Sequence, residues 1–350
     1  MELTKEIGEA LLFWYDHNAR ILPWRADKNP YRIWVSEIML QQTRVEAVKP
    51  YFDRFMGELP EVKDLAEVDE QKLMKLWEGL GYYNRARNLK AAAQTIVEKY
   101  NGQLPADYEA LLGLKGIGMY TAGAIASIAY DIRVPAVDGN VLRVMARLLG
   151  DDSDILKEKT KKEMAARVME IMPAQRAGDF NQALIELGAI VCVPNGEPKC
   201  SGCPWDTVCT AYRQDLIDKL PVKKPKKKRK IEKRTVFVIE SDGMVALSKR
   251  EDKGLLAGLW EFPNVLGKYS QKQIDEKLRS WGMNDCTYEF THEGKHIFSH
   301  IEWQMTGVLV SLKEPVEAEN LTWVNKRQLE EEYAIPSAFE MFRESLQSAY

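Results

Sequence analysis

The hydrophobic pattern of this 350-residue chain changes its period on either side of one run of basic residues. From Leu3 to about residue 215, apolar residues recur at steps of three and four, which is typical of amphipathic helices. After the run, four segments are rich in β-branched and aromatic residues and predict strands: 235–240, 244–250, 286–293 and 303–312. Two helical patterns, 270–281 and 326–346, interrupt them. The pattern predicts an all-α domain followed by an α+β domain.

The basic run itself is residues 223–234 (KKPKKKRKIEKR), with nine Lys or Arg and one Glu, whereas the whole chain carries a net charge of −3. Such a run is a solvated linker, an arm that binds phosphate, or both. The hydrophobic content of 45% excludes a disordered chain. No apolar stretch has the length of a transmembrane helix, and the N-terminus does not resemble a signal peptide. We therefore expect a cytoplasmic protein.

Four of the five cysteines are clustered, with the spacing C-x7-C-x2-C-x5-C over Cys192, Cys200, Cys203 and Cys209. Disulfides are rare in a reducing cytosol, so these thiols indicate a metal centre. Zinc ribbons usually contain two C-x2-C pairs, and this segment contains one. An iron–sulfur cluster is favoured over zinc, which remains the alternative.

Two carboxylates and one glycine pair stand out in the helical half. Glu37 is surrounded in sequence by apolar residues, which would raise its pKa, although most helical glutamates are simply solvated. Asp138 precedes a clear helix and is either a plain N-cap or an anion kept ionised by the helix dipole. Gly116 and Gly118 lie between two helical stretches and form either a phosphate-binding hairpin or a closely packed corner.

The order and spacing of these motifs resemble a known family. The matching segments are SEIMLQQT (36–43), GLGYYNRARNL (79–89), LKGIGMYTAGAI (114–125), VDGNVLRV (137–144) and the cysteine loop. Together they resemble the helix–hairpin–helix DNA glycosylases with an iron–sulfur loop, and more narrowly the adenine DNA glycosylases. GLLAGLWEFPN (254–264) and HIFSH (296–300) resemble the C-terminal domain of that family.

The resemblance implies a multidomain fold: an all-α helix–hairpin–helix glycosylase domain with an iron–sulfur loop, followed by an α+β Nudix-like domain. Residues 1–214 would be catalytic, with a six-helix module at about 26–130 and an iron–sulfur module formed by the N-terminal helix and about 131–214. Residues 215–234 would be a basic linker, and 235–350 the Nudix-like domain. The four cysteines would hold a 4Fe-4S cluster. The departure is their first gap, which has seven residues here and six in the family.

The resemblance also implies a mechanism. Glu37 would protonate the adenine at N7 and later activate water, and Asp138 would stabilise the sugar cation or bond to it transiently. Asn140 would orient this machinery. Relatives that also cleave the strand carry a lysine where this chain has Tyr120. Tyrosine has no amine to attack the sugar, so we expect a monofunctional hydrolase.

Further residues are assigned to DNA by the resemblance. The adenine pocket would be lined by Trp24 and Arg25, and the residues that insert into the duplex would be Leu40, Gln42 and Tyr82. The hairpin with Lys115, Gly116 and Gly118 would bind the backbone. Phe298, Ser299 and His300 would recognise 8-oxoguanine opposite the adenine. The Nudix-like half lacks the glutamate-rich cassette that holds a divalent metal, so we expect binding without hydrolysis.

We therefore expect a base-excision-repair glycosylase acting on double-stranded DNA with adenine opposite 8-oxoguanine or guanine. The resemblance further implies a monomer associated with the bacterial nucleoid and with no membrane partner. Two alternatives remain: a pyrimidine-damage glycosylase/lyase of the endonuclease III type, and a non-catalytic DNA-binding protein.

Overall fold

The computed structural model describes residues 4–224 and 228–347. The contacts within the chain define two units, one comprising residues 1–68 and 87–225 and the other comprising 69–86 and 226–350. Residues 1–3, 225–227 and 348–350, which include part of the predicted linker and the outer ends of both predicted domains, lie outside the described residues. No helix in the described ranges has the length and apolar character needed to cross a membrane.

The chain is helical up to the basic run, as predicted. The helices are α1 (Lys5–Asn18), α2 (Pro30–Met39), α3 (Val45–Glu58), α4 (Val62–Glu67), α5 (Glu70–Leu76), α6 (Asn84–Tyr100), α7 (Tyr108–Leu112), α8 (Met119–Tyr130), α9 (Gly139–Leu149), α10 (Glu158–Ile171), α11 (Ala177–Ile190) and α12 (Thr210–Arg213). Their ends follow local chemistry. Asn29 caps α2 with Pro30 in the first turn, and Gly150 ends α9 at φ 70°.

One core of the first unit positions the cysteine loop. Helices α1, α9, α10 and α11 bury Leu11, Met145 and Phe180 completely. Trp205, from the cysteine loop, packs into this core, and its indole N–H donates to the Ile7 carbonyl at 2.9 Å. The loop is therefore fixed by apolar packing as well as by its hydrogen bonds.

The second unit contains a mixed seven-stranded sheet. Its strands are β1 (Lys230–Ser241), β2 (Met244–Lys249), β3 (Trp260–Glu261), β4 (Asn264–Leu266), β5 (Cys286–Ile297), β6 (Ile301–Leu312) and β7 (Thr322–Asn325). The order is β3-β2-β1-β6-β5, with β4 on β1 and β7 on β2. Helices α13 (Gln271–Ser280), α14 (Lys326–Glu331) and α15 (Glu340–Gln347) complete the unit.

Alternate residues of β1 are buried in two different cores. Val236 and Val238 pack in a core that includes Phe339, whereas Phe237 and Ile239 pack in one that includes Ile274. This two-residue period places β1 at the centre of the unit. Asp242 and Gly243 form the two-residue hairpin turn between β1 and β2, with both residues at positive φ (46° and 71°), as such a turn requires.

Three predicted boundaries differ from the structure. β1 begins at Lys230, inside the predicted linker, because the charged residues 230–234 pair with β6. The predicted helix 326–346 is interrupted, since Pro336 lacks the N–H that a continuous helix needs. Residues 69–86 group with the second unit, where Lys75 Nζ donates to the carbonyls of Leu329 and Tyr333. Contacts so distant in sequence leave no local pattern.

Candidate active site

A cavity of about 910 Å³ in the first unit contains most of the residues predicted for catalysis and for the adenine pocket. It is lined by α2, the hairpin before α8, the start of α9, and α10. The predicted residues that line it are Trp24, Arg25, Glu37, Leu40, Gln42, Gly118, Tyr120, Asp138 and Asn140. Lys115 and Gly116 lie next to this lining in the hairpin, and Tyr82, Phe298, Ser299 and His300 belong to the second unit.

Glu37 is a buried carboxyl group on the apolar face of α2. Its side chain accepts a hydrogen bond from the Tyr120 hydroxyl at 2.5 Å, and only 7% of the residue is exposed. Burial raises the pKa of Glu37 to about 7. The charge of Asp138 also raises this pKa, whereas the hydrogen bond from Tyr120 lowers it. The expectation of an elevated pKa from the surrounding apolar residues is confirmed.

Asp138 caps α9, so its N-cap interpretation is confirmed. Its carboxylate accepts the backbone N–H groups of Asn140 (2.9 Å) and Val141 (2.8 Å), and the Asn140 side-chain amide at 2.7 Å. Burial raises the pKa of Asp138 above its ordinary value, while these three N–H donors lower it. Burial favours the acid form of both carboxyl groups, but three N–H donors oppose it at Asp138 and one hydroxyl opposes it at Glu37.

Arg143 connects this carboxylate to the cysteine loop, a role that the sequence analysis missed. Its Nη2 donates to Asn140 Oδ1 at 2.9 Å and to the Gly188 carbonyl at 2.8 Å, and its Nε donates to the Cys192 carbonyl at 2.8 Å. A Cβ on Gly188 would lie 2.7 Å from the Asn140 Cβ, so only glycine allows this approach. Arginine three residues after Asn140 on one helix was the available signal.

Glu186 is the second residue that the sequence analysis missed. It is fully buried and paired with two arginines: Oε1 accepts Arg20 Nε at 2.6 Å, and Oε2 accepts Arg25 Nη2 at 2.9 Å. Arg20 and Arg25 both line the cavity. A lone glutamate in the apolar segment FNQALIELGAI was the available signal, because a buried carboxylate requires a partner.

Gly116 and Gly118, the two glycines of the hairpin, meet different structural requirements. Gly116 has φ +81°, and a Cβ there would lie 2.7 Å from the Asn88 Cβ, so this position needs glycine. Gly118 caps α8 and has open space where a Cβ would point. The exposed Lys115 precedes both. An exposed backbone at the start of a helix suits an anionic ligand such as phosphate.

Gln42 and Tyr82, both assigned to the duplex, adopt left-handed backbone conformations, with φ 60° and 48°. This conformation is unfavourable for residues with a Cβ and often marks functional sites. Tyr82 is 51% exposed, and its ring lies 5.7 Å from the Arg85 guanidinium carbon. Arg85 in turn donates to the carbonyls of Leu80 and Gly81. The loop thus holds an exposed aromatic ring in a strained conformation.

We expect Tyr82→Gly to be more stable than Tyr82→Ala by about 1 kcal/mol, because glycine tolerates the left-handed conformation. The free energy of unfolding, measured in denaturant, tests this. The matched control is Tyr51 within α3, where glycine should be less stable than alanine by about 1 kcal/mol. If alanine were more stable than glycine at both positions, the proposed backbone strain at Tyr82 would be contradicted.

The predicted recognition residues form the turn between β5 and β6. The Phe298 N–H donates to the Ile301 carbonyl at 2.8 Å, and the Phe298 ring lies 4.9 Å from the buried Trp303 ring. Ser299 Oγ and His300 Nδ1 are exposed and 3.2 Å apart. The turn therefore presents two polar side chains while its aromatic residue packs inward.

Two of the four clustered cysteines, Cys192 and Cys209, contact Arg147 in the last turn of α9. Burial is the main cause that raises the pKa of Cys203 to about 12, and Cys192, Cys209 and Cys200 also raise it. Arg147 Nη1 donates to Cys192 Sγ at 3.3 Å. Within the described ranges, no three His, Cys, Asp or Glu side chains converge on a single metal ion. Four cysteine thiols are a donor set that suits a structural zinc ion as well as a 4Fe-4S cluster.

Comparison with known proteins shows the family of this chain. Residues 35–173 match the model for the HhH-GPD superfamily of base excision DNA repair proteins, and residues 235–344 match the NUDIX domain model. The adenine DNA glycosylase of Mus musculus is 34% identical over 96% of this chain and 78% of its own length. A thermostable thymine-DNA glycosylase structure matches with a TM-score of 0.54 and 28% identity, covering 60% of this chain and 96% of that one. A DNA complex of endonuclease III matches with a TM-score of 0.52 and 26% identity, over 61% and 99%. The chain belongs to the adenine DNA glycosylase family.

Proposed function

We propose that the chain excises adenine from double-stranded DNA in base-excision repair, with Glu37 as the acid and Asp138 as the stabilising anion. One observation carries the proposal: a single cavity holds a buried carboxyl group with a pKa of about 7 and a second carboxylate bound by three N–H donors. Two carboxyl groups in different surroundings are what acid-assisted cleavage of a glycosidic bond requires.

The adenine must leave the base stack before its glycosidic bond is accessible. Glu37, whose pKa is close to neutral, gives its proton to N7 of the extruded base. The electron pair of the glycosidic bond goes to the base, which departs neutral, and the sugar becomes cationic. Asp138 faces this cation as an anion. Water then bonds to the sugar and its proton returns to the Glu37 carboxylate, leaving an abasic site.

Tyr120 and Arg25 would hold the reacting groups in place. The Tyr120 hydroxyl orients the Glu37 carboxyl group through its hydrogen bond and offers no amine for a Schiff base. Glu186 fixes the Arg25 guanidinium at the cavity wall, where its N–H donors suit the ring nitrogens of a purine. Trp24 packs edge-to-face on Phe52 at 5.5 Å and supports the same wall. This arrangement favours hydrolysis over the lyase alternative.

The opposite base would be read by the second unit. Ser299 and His300 offer donors and acceptors that suit 8-oxoguanine, and Phe298 anchors their turn. We propose adenine opposite 8-oxoguanine as the preferred substrate and adenine opposite guanine as a weaker one. We propose that the chain acts as a monomer on chromosomal DNA in the cytoplasm.

A single-turnover assay tests the function. The enzyme should release free adenine from duplexes with adenine opposite 8-oxoguanine, and borohydride should trap no enzyme–DNA adduct. Duplexes with oxidised pyrimidines are the comparison. Release of a pyrimidine together with a trapped adduct would favour the endonuclease III type, and binding without release of any base would favour the non-catalytic alternative.

We propose that a 4Fe-4S cluster is held by Cys192, Cys200, Cys203 and Cys209. The cluster would stabilise the fold of the loop and take no part in the hydrolysis. The purified protein should be brown and contain about four iron atoms per chain. Cys203→Ser should lose colour and iron, whereas Cys286→Ser, outside the cluster loop, should lose neither. A protein that contains one zinc ion and no iron would contradict this proposal.

A further inference from the structure

The described end of the basic run enters the sheet beside the turn at 298–300. β1 and β6 are parallel, and Lys230 is the register partner of Ile301. Both strands start at this pair and run in the same direction, so Lys228 and Arg229 lie alongside the residues before β6. The residues before β6 are the turn itself. The register thus brings Lys228, Arg229 and Lys230 beside the turn.

Two hydrogen bonds join the segment to the turn. The Lys230 backbone N–H donates to the His300 carbonyl, and Arg229 Nε donates to the Phe298 carbonyl, both at 3.1 Å. The Phe298 ring packs against Trp303, whose indole lies 4.1 Å from the Arg234 guanidinium carbon. The turn is therefore fixed by its packing on Trp303 and by its bonds to the basic segment.

The charge of the segment is directed to solvent. Lys228, Arg229 and Lys230 are all exposed. The acidic neighbour Glu232 is paired with Lys230 Nζ at 3.1 Å and with Arg234 at 3.4 Å. Exposed Lys and Arg next to a turn that faces a duplex would meet the sugar–phosphate backbone.

We propose that residues 228–230 and the turn 298–300 form one DNA-binding surface, which rests on the function proposed above for the turn. Lys228 and Arg229 contact phosphates of the strand that carries the base opposite the adenine. Arg229 also acts as a positioning residue, because its bond to the Phe298 carbonyl sets the turn that presents Ser299 and His300. The end of the basic run at 228–230 is thus part of the recognition surface.

The salt dependence of DNA binding tests the phosphate contacts. Affinity is measured in the full chain with Glu37→Gln, so that the substrate is not consumed, on duplexes with adenine opposite 8-oxoguanine or guanine. Lys228→Ala should weaken both complexes equally and lower the slope of log Kd against log salt by about 1. Lys272→Ala on α13 removes one positive charge elsewhere in the unit and should leave the slope unchanged. An unchanged slope in Lys228→Ala would overturn the phosphate contact.

Arg229→Lys tests the positioning role, because it keeps the charge and removes the guanidinium donor. We expect an unchanged salt slope and a loss of about 5-fold in the preference for 8-oxoguanine over guanine, the effect of one hydrogen bond. Ser299→Ala combined with His300→Ala separates the two proposals. If this double variant keeps the preference, the proposed function of the turn is wrong. If it loses the preference and Arg229→Lys keeps it, only the positioning role is wrong.

Discussion

Glu37→Gln should reduce the single-turnover rate of adenine release by about 1000-fold, within the range that general acid catalysis contributes. Glutamine has nearly the same shape and can still accept the Tyr120 hydroxyl, but it has no proton to give to the base. Binding of the same duplex should change little, because the carboxyl group acts on the leaving base and not on the duplex. Quench-flow kinetics and an equilibrium binding assay measure the two quantities separately.

The stability of the same variant provides an independent check. Burial raises the pKa of Glu37 from 4.5 to about 7, so the folded protein holds this proton more tightly than the unfolded chain. The resulting stabilisation is complete below pH 4.5 and is lost as the pH rises through about 7. Between pH 4.5 and about 7, the free energy of unfolding of the wild type should therefore fall by on the order of 3 kcal/mol relative to that of Glu37→Gln. Parallel stability curves for the two proteins would contradict the buried acid.

Asp138→Asn should reduce the excision rate by about 100- to 1000-fold while leaving the fold intact, because the charge is lost and the cap is kept. Asparagine caps helices about as well as aspartate, so the N–H groups of Asn140 and Val141 keep an acceptor. We expect the free energy of unfolding to change by less than about 1 kcal/mol. The single-turnover rate and a denaturant titration provide the measurements.

A second N-cap aspartate supplies the matched control. Asp107 caps α7, where its side chain accepts the Ala110 N–H at 2.7 Å, and it does not line the cavity. Asp107→Asn makes the same chemical change and should alter neither stability nor rate appreciably. If Asp138→Asn also retained the full rate, Asp138 would be only a cap and the proposed mechanism would lose its anion.

How much of this site could be predicted depends on how far apart in sequence its interacting residues lie. Glu37 and Asp138 could be predicted because each lies in a local motif, an apolar helical segment or a helix start. The family resemblance then assigned both to one catalytic site. The pairing of Glu186 with Arg20 spans 166 positions, and Arg143 reaches Cys192 across 49. Such contacts depend on how α9 and α11 pack, which no local period encodes.

The fold was predictable to a similar degree. The change from a helical to a strand period near the basic run predicted the helical first unit and the sheet of the second unit. The start of β1 was missed because its first residues are mostly charged and resemble a linker, although they are paired along β6. The helical pattern from Leu3 to about residue 215 also shows no break at Gln42, whereas its left-handed backbone lies between α2 and α3. Strain at one residue has no hydrophobic signature.

The pH dependence of adenine release under single-turnover conditions is the most direct test of the protonated Glu37. The wild-type rate should be highest below neutral pH and fall tenfold per pH unit above an apparent pKa near 7, since only the acid form can donate. In Glu37→Gln the residual rate should lack this descending limb. A wild-type rate that stays constant from pH 6 to 9, or a descending limb that persists in Glu37→Gln, would contradict Glu37 as the proton donor.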